Sequence, residues 1–450
     1  MHCTAFLRCA ALLAAGLSVS LSSGAQAPAP YPVGRDLPAF EAPASAGAPL
    51  PEAPPEPTGV LRLEAALAAA LLRNPELAAD AYEVRAREAA LLQAHALPNP
   101  TVSLELEDVA GSDDYHGVES AQTTLLLGQL IELGGKRAAR IDVAASDRDL
   151  ATWDYEVRRI DVLVRTAGAF VDVLAAQERL RLADEALELT RALQHVASRR
   201  LRAGIASLAE EIRAGVQVDV ASVEREHTEH ELATARQALA ATWAGEVPRF
   251  ERSEGDLARL PGVPSAEEIA RRLETSPGVA RWGSELAHRD ALRARATSGR
   301  IPDVTLFAGP RRLSASDDTA LVAGISIPFP VWNRSRAAIA EAEHRVAKLA
   351  AEARAARVRT VMDLAEARIG LQAASEEAHL LRTRVLPGSE RAVEAMRRGY
   401  EQGRFAQIEV FDAERARLDA REQYLRALVE AHHNAQQIER LTGVPLEVRP

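Results

Sequence analysis

The stretch "PNPTVSLELEDVAG", residues Pro98–Gly111, interrupts a chain that otherwise reads as helix rich in alanine, arginine and glutamate. Its two prolines end the helical pattern, because proline lacks the backbone N–H that a helix interior needs. After them Val102, Leu104 and Leu106 alternate with polar residues, which predicts a β-strand with one apolar face. A second break of the same kind, "RIPDVTLFAG", occupies Arg300–Gly309. The fold is therefore determined by what these two strand-forming interruptions of a helical chain build.

The composition favours long helices. The chain has 450 residues, of which 47% are hydrophobic and 4% aromatic, and this balance suits helices packed through small side chains. The net charge of −10 is spread without a basic patch, so nucleic acid is not an expected partner. The sequence contains no Ser-His-Asp order, P-loop, GxGxxG or zinc-protease signature. We therefore expect neither an enzyme nor a cofactor.

Residues 1–25 are predicted to be a secretory signal peptide. An apolar run, Cys9–Leu21, is followed by small residues, and cleavage is expected after Ala25 or after Ala27. An apolar run of about a dozen residues is shorter than the ~20 that a membrane-spanning helix needs. Both cysteines of the chain fall within this segment, so the mature protein is expected to have no thiol chemistry.

The rest of the chain divides into a leader and two similar halves. Residues 26–57 are rich in proline and are expected to form a flexible leader. A first repeat at 58–245 and a second at 266–448 are joined by a connector at 246–265 that contains proline and glycine. Each half is predicted to hold a helix, two short strands, a very long helix, a break marked by glycine and a further helix. The fold class is therefore mainly α with a small β part.

The segment from Lys136 to about Arg202 is predicted to be one helix, because it contains no proline and a single glycine. Such a helix is on the order of 100 Å long. Apolar residues spaced alternately four and three apart run along it: Ile160, Val164, Ala167, Val171 and Leu174. This is the spacing of a coiled-coil seam. The helices alone fit a plain rod-like coiled coil equally well, since the pattern determines packing and not function.

Each interruption is predicted to hold two strands, at about 101–109 and 121–130 in the first half and 304–308 and 320–327 in the second. One apolar and one polar or small face is typical of a strand between lipid and a wet lumen. Four strands cannot close a membrane barrel, and open sheet edges are not tolerated in lipid, so membrane insertion requires several copies of the chain. The same strands also fit a small soluble β-layer covering a helical bundle.

Several sequence features together resemble those of the outer-membrane efflux protein family, whose best-known member is TolC. They are the tandem halves, "ALPNP" before the first strand, "IELGGKRAAR" after the second, "GISIPFPVWNRSRAAIAEAE" at the same point of the second half, and the paired "LRAGIAS" and "YEQGRFAQIEVFDA". The resemblance covers the chain from about Thr58 to Val448. The phrase "SIPFPVWNR" is most similar to the branch that serves heavy-metal (cobalt–zinc–cadmium) efflux pumps.

The resemblance implies an assembly and a passive transport function. A homotrimer would form a 12-stranded outer-membrane β-barrel, and its coiled-coil helices would continue as a periplasmic α-barrel. Val102, Leu104 and Leu106 would face the lipid. The implied partners are a periplasmic membrane-fusion adaptor and an inner-membrane pump of the resistance–nodulation–division type. The channel would be the exit duct of this tripartite system, with heavy-metal cations as the expected substrates.

The resemblance also implies roles for residues at the closed entrance of the tube. Gly204 and Gly403 match the glycines of the two helical hairpin tips, where an adaptor docks. Glu409 and Asp412 match the acidic residues that ring the entrance. Tyr400 matches a tyrosine that holds the tips closed. Two further residues are expected to act with it as a latch: Glu210, the acid of the first half that corresponds to the acidic residues of the second, and Arg404, which lies one place from the family's arginine.

One candidate metal-binding pair comes from the residues themselves. In "EREHTEHE", His227 and His230 lie three apart on a helix among glutamates, and imidazole with carboxylate is suited to Zn²⁺ or Co²⁺. Two ligands on one helix do not close a metal site, so a charged exposed face is the simpler interpretation.

Other functions also fit the sequence. The same fold would serve as the outer-membrane duct of a type I protein secretion system or of a drug efflux system. From another class, a periplasmic coiled-coil adaptor or scaffold would also contain long helices. Adaptors usually carry one helical hairpin, however, and not two duplicated halves with paired strands.

Overall fold

A computed structural model describes residues 31–45, 52, 54–115, 117–332 and 334–447. The expected signal peptide, residues 1–25, lies outside these residues. The first half contains, in chain order, β1 (Gly59–Arg62), α1 (Leu63–Arg73), α2 (Pro75–His95), β2 (Thr101–Glu107), a 3-10 turn (Asp113–Tyr115), β3 (Gln122–Ile131), α3 (Lys136–Arg202) and α4 (Leu208–Ala241).

The second half repeats this order after a short connecting strand. It contains β4 (Phe250–Glu254), α5 (Ala266–Glu274), α6 (Pro277–Ser298), β5 (Val304–Leu313), β6 (Asp318–Ser326), α7 (Arg336–Leu380), a π-helical segment (Leu381–Val385), α8 (Leu386–Glu401) and α9 (Gln407–Thr442). Within the described parts of the chain, no helix is both long enough and apolar enough to cross a membrane.

The long helices of the two halves differ at one point. Helix α3 runs for 67 residues without interruption, whereas its counterpart is divided into α7 and α8 by the π-helical segment. Pro387, in the first turn of α8, has no N–H to donate. The preceding Leu386 N–H donates to Leu381 O, five residues back, which is the spacing of a π-helix. The second long helix therefore accommodates its proline by a local change of hydrogen-bond register.

The four long strands form one antiparallel sheet in the order β2-β3-β5-β6. The register pairs Val102 with Leu127 and Leu104 with Leu125, and residues directly opposite each other share a face of the sheet. Strands β2 and β6 form the two edges, and neither has a second strand partner among the described residues. Within one chain the sheet is therefore open on both sides.

The strand limits differ from those expected from the sequence. The third strand was expected to end at residue 308 but continues to Leu313, so the connecting turn is only 314–317. The sequence "GPRR" reads as a turn, yet Gly309 is needed inside the sheet, because a Cβ there would lie 1.8 Å from Leu125 O. The other three strands lie at Thr101–Glu107, Gln122–Ile131 and Asp318–Ser326, against expected limits of 101–109, 121–130 and 320–327.

The connector is more structured than its proline and glycine content suggests. Strand β4, within residues 246–265, pairs in parallel with β1. Phe250 of β4 and Trp243 are both almost fully buried, and their rings meet edge-on at 6.1 Å between centroids. Phe170 of α3 belongs to the same apolar cluster. The connector therefore contributes to a core that packs the middle of α3 against the C-terminal end of α4.

The expectation of a flexible leader is wrong for residues 31–45. Val33 is buried in an apolar cluster with Leu71, Leu77 and Leu163, and the Phe40 N–H donates to Leu71 O at 3.0 Å. The proline-rich composition concealed a few apolar side chains that are spaced so that they pack on α1, α2 and α3. Proline also reduces the conformational entropy that such a segment loses on folding, which helps it to stay ordered.

Candidate functional site at the helical hairpin tips

Helices α3 and α4 form one long hairpin, and α8 and α9 form the second. In each turn a glycine adopts a left-handed backbone conformation, with φ of +70° at Gly204 and +72° at Gly403. The turns close through similar hydrogen bonds, from Ile205 N to Arg200 O at 2.9 Å and from Arg404 N to Gly399 O at 2.8 Å. Because glycine adopts positive φ without steric cost, it is the residue suited to both turns.

The two helices that leave the tips are capped differently. In α4 the Ser207 hydroxyl accepts a hydrogen bond from Glu210 N at 3.3 Å. In α9 the corresponding residue is Ala406, which has no polar side chain. Glu409 compensates, because its carboxylate accepts a hydrogen bond from Ala406 N at 2.7 Å. A carboxylate at a helix N-terminus is also favoured by the helix dipole.

The structure places Glu409 and Asp412 on the first turns of α9, close to the tip, with both side chains exposed. Glu409 is held by its own helix N-terminus. Asp412 makes no hydrogen bond or ion pair within the described residues, so its carboxylate is directed to solvent. The two acidic groups that sequence analysis placed together are therefore both accessible at the same end of the molecule.

Tyr400 connects the two hairpins within one chain. The guanidinium carbon of Arg200, near the end of α3, lies 5.0 Å from the centre of the Tyr400 ring, near the end of α8. This is the geometry of a cation–π interaction. The Tyr400 hydroxyl and Glu210 Oε1 are both buried without a hydrogen-bond partner among the described residues. Arg404 is exposed and forms no ion pair there. Of the three residues expected to hold the tips closed, Tyr400 contacts the other hairpin, through Arg200.

A charged network that sequence analysis missed lies further along the hairpins. Arg417 donates to Glu414 at 2.9 Å on its own helix and to Glu185 of α3 at 2.9 Å. Glu185 also accepts from Arg421 at 2.8 Å. Glu414 is 2% exposed and has a second arginine partner, Arg397 of α8. The only sequence signal was a Glu–Arg pair three residues apart, which is indistinguishable from an ordinary exposed helical pair.

This network perturbs the titration of Glu185. Partial burial alone would raise the pKa of its carboxyl group, but the hydrogen bond from Arg417 and the charges of Arg421 and Arg417 outweigh burial and lower that pKa. The carboxylate form is thus favoured where α3 of the first repeat meets α9 of the second. The network connects the two repeats electrostatically.

His227 and His230 are not part of a cluster of three or more candidate metal ligands among the described residues. Both side chains are exposed, and His227 Nε2 lies 3.2 Å from Glu231 of the same helix. Across the described residues, no cluster of three or more histidine, cysteine, aspartate or glutamate side chains is suited to hold a metal ion. These two histidines are an exposed part of α4.

At the opposite end of the molecule, the sheet has two chemically different faces. Val102, Leu104 and Leu106 are 72%, 62% and 59% exposed. The register places Leu127 and Leu125 of β3 beside the first two on the same face. Further exposed apolar residues of this face lie on β5 and β6: Leu306, Leu321 and Ile325.

The other face of the sheet is polar. Arg311 of β5 donates to Thr124 Oγ1 of β3 at 2.9 Å and forms an ion pair with Glu107 of β2 at 3.1 Å. Charged groups thus cross three strands on one side, while the reverse side exposes leucine, isoleucine and valine. A sheet with one apolar face, one polar face and two open edges, continued by two very long helical hairpins, is the architecture of an outer-membrane efflux channel.

Comparison with known proteins identifies the family. The chain matches the outer membrane efflux protein family over residues 66–245 and 270–444, one segment for each half, and it belongs to that family. It is 34% identical over 394 residues to the cobalt-zinc-cadmium resistance protein CzcC of Cupriavidus metallidurans, covering 88% of this chain and 93% of that protein. It is 31% identical over 321 residues to the nickel and cobalt resistance protein CnrC of the same organism, covering 70% of this chain and 72% of that protein.

The fold is also found in solved structures. The outer membrane protein VceC from Vibrio cholerae superimposes with a TM-score of 0.72 at 17% identity, covering 86% of this chain and 97% of that one. This similarity confirms the expected fold class, which is mainly α with a small sheet and two tandem repeats. The family and fold are those of channel proteins.

Proposed function

We propose that this protein is the outer-membrane exit duct of a tripartite efflux system that exports heavy-metal cations. The similarity to CzcC carries the proposal, because it extends over 93% of a protein named for resistance to cobalt, zinc and cadmium. CnrC, named for nickel and cobalt resistance, supports the same class of substrate. The duct conducts passively, and an inner-membrane pump of the resistance–nodulation–division type supplies the energy and selects the cation.

The open sheet requires several copies of the chain in a membrane, and the family resemblance implies that there are three. Edge strands β2 and β6 present unpaired backbone groups, which lipid does not tolerate. Pairing β6 of one copy with β2 of the next closes a barrel, and three copies give twelve strands. Val102, Leu104 and Leu106 then face the lipid, while Arg311 and Glu107 face the water-filled interior. The signal peptide at residues 1–25 would direct the chain to the periplasm.

The tube supports the same assembly. Helix α4 carries a stripe of exposed apolar side chains at helical spacing: Leu208, Ile212, Val216, Val220 and Val223, which are 51–67% exposed. Such a stripe on a water-soluble helix favours contact with another surface. In a trimer it would pack on the α7–α8 side of the neighbouring copy, so that twelve helices enclose a periplasmic lumen.

At the tips, threefold symmetry would bring Glu409 and Asp412 from all copies around one axis. Like charges in a narrow opening attract cations and repel anions. Tyr400, Glu210 and the exposed Arg404 would hold the tips closed, as the resemblance to the family implies. The glycine turns at Gly204 and Gly403 would present the surface on which a periplasmic membrane-fusion adaptor docks.

Deleting the gene from its native host, with the pump and adaptor genes intact, tests the proposal. Growth in graded Co²⁺, Zn²⁺ and Cd²⁺ and the cellular content of each metal should show greater sensitivity and accumulation, both reversed by the wild-type gene. Unchanged metal tolerance would contradict the proposal. If tolerance to an organic drug were lost instead, or export of a protein, the duct would serve a drug efflux or type I secretion system.

A further inference from the structure

A cleft lies where the sheet joins the helices. Its volume is about 550 Å³, and it is lined by residues from the end of β3, the starts of α3 and β5, and the segment after β6. Strands β3 and β6 end at this edge of the sheet, and β5 begins there. The cleft therefore lies beside one margin of the apolar face, on the side from which the long helices extend.

Two aromatic side chains line the cleft and are almost completely exposed. Phe329 is 88% exposed and Trp332 is 94% exposed. The backbone of their segment is restricted, because Pro328 and Pro330 fix their own φ angles and Val331 N donates to Phe329 O at 2.9 Å in a tight turn. Exposed aromatic rings at the edge of an apolar face are characteristic of the boundary between lipid tails and headgroups.

The same cleft carries positive charge. Lys136 forms an ion pair with Asp303 at 2.7 Å, and Asp303 is the single acid among the described residues that line the cleft. Arg300 also lines it and is exposed, and no described acidic group lies within ion-pair distance of it. Arg334 and Arg336, just beyond Trp332, are exposed, and no described acidic group lies within ion-pair distance of either. The local charge balance is therefore positive.

We propose that this cleft, lined by Trp332, Phe329 and Arg300, binds the phosphate headgroup of an anionic phospholipid in the periplasmic leaflet of the outer membrane. The rings lie at the level of the ester groups, the guanidinium donates to the phosphate oxygens, and the acyl chains lie along the apolar face beyond Ile325. Arginine suits this role because its planar guanidinium forms paired hydrogen bonds with phosphate. The inference rests on membrane insertion of the sheet, as proposed above.

The full-length trimer in lipid nanodiscs provides the test. Trp332 fluorescence, taken as the difference between the wild type and Trp332→Phe, is measured with brominated phosphatidylglycerol or brominated phosphatidylcholine as the quencher. Both lipids should quench Trp332. The same degree of quenching should require a lower fraction of brominated phosphatidylglycerol than of brominated phosphatidylcholine. A basic residue near an anionic surface contributes about fivefold in affinity, so Arg300→Gln should reduce this preference by about fivefold.

Arg354→Gln is the matched control, because Arg354 is an exposed arginine on α7, away from the cleft. It should leave the preference unchanged. Equal quenching by the two lipids, or an undiminished preference in Arg300→Gln, would overturn the proposal. Absence of Trp332 quenching in an inserted trimer would show that a neighbouring subunit covers the cleft, which also overturns it. Membrane insertion is followed separately by flotation. Because the assay contains neither pump nor metal, failure of the lipid-binding proposal can be distinguished from failure of the proposed export function.

Discussion

Arg200 and Tyr400, which are two hundred positions apart in the sequence, meet at the hairpin tips with 5.0 Å between the guanidinium carbon and the ring centre. Arg200 lies in the last turn of α3 and Tyr400 in the last turn of α8. Their contact therefore joins the two hairpins of one chain at the tips. Loss of the contact should favour separation of the tips.

Replacing either partner should weaken this coupling. Arg200→Gln and Tyr400→Ala should each increase single-channel conductance in planar bilayers. In thermal unfolding, the change in unfolding free energy of the double variant should differ from the sum of the two single changes by about 1 kcal/mol. Tyr400→Phe keeps the ring, so Arg200→Gln should still have its effect in that background. Strict additivity of Arg200→Gln and Tyr400→Ala would show that the cation–π contact is energetically silent.

The turn at Gly403 should tolerate a side chain poorly. Its φ of +72° is unfavourable for residues with a Cβ, although a Cβ there would meet nothing within 4 Å. Gly403→Ala should therefore destabilise the hairpin by about 1 kcal/mol through backbone strain alone. Thermal unfolding of the trimer measures this effect.

Gly388→Ala is the matched control for that substitution. Gly388 lies within α8, and a Cβ there also meets nothing within 4 Å. Since alanine is a better helix former than glycine, this change should leave stability unchanged or raise it. Equal destabilisation by the two substitutions would argue against strain at the turn.

The pairing of Glu185 with Arg417 and Arg421 should make the packing of the repeats sensitive to acid. The pKa of Glu185 is lower in the folded protein than in the unfolded chain. Its stabilising effect is therefore fully present above the ordinary glutamate pKa and is lost as pH falls through the lower, folded-state value. The stabilisation should therefore disappear only at a pH below the ordinary pKa of a glutamate side chain.

Thermal unfolding of Glu185→Gln from neutral to acidic pH tests this point. The variant should unfold at a lower temperature than the wild type at pH 7, and the difference should shrink as the wild-type carboxylate becomes protonated. Glu394→Gln is the control, because Glu394 pairs with Arg398 on an exposed surface of its own helix. A constant difference between Glu185→Gln and the wild type at every pH would exclude titration of Glu185 as its source.

The sequence predicted the features that depend on local chemistry. Helix α3 has the limits expected from a segment without proline, Lys136–Arg202, and the glycines of both breaks lie in turns that require positive φ. Features that depend on distant partners were not predictable. Glu185 and Arg417 are separated by 232 positions, and neither residue alone differs from an exposed helical charge.

Other errors arose where tertiary packing overrides local preference. Gly309 and Pro310 favour a turn, yet they lie inside β5 because the sheet needs a residue without a Cβ beside Leu125. Proline-rich residues 31–45 read as a flexible leader, yet Val33 reaches a pocket formed by three helices. In both cases the decisive contact is made with a segment far away in the sequence.

The acidic residues of α9 should determine how the entrance interacts with cations. Both Glu409 and Asp412 are exposed beside the tip, so a trimer would place their negative charges around the opening. Replacing both, as Glu409→Gln with Asp412→Asn, should reduce cation selectivity and block by divalent ions in planar bilayers. Neutralising Asp419, which is also exposed on α9 but further from the tip, should change neither property.

Glu409 contributes a second effect that can be separated from the first. Its carboxylate caps the N-terminus of α9 by accepting a hydrogen bond from Ala406 N, and Asp412 has no such contact. Glu409→Gln alone should therefore lower thermal stability by about 1 kcal/mol, whereas Asp412→Asn should alter block without altering stability. If the double variant retained wild-type selectivity and divalent block, the two carboxylates would not surround the conducting path, and Glu409 would serve only as a helix cap.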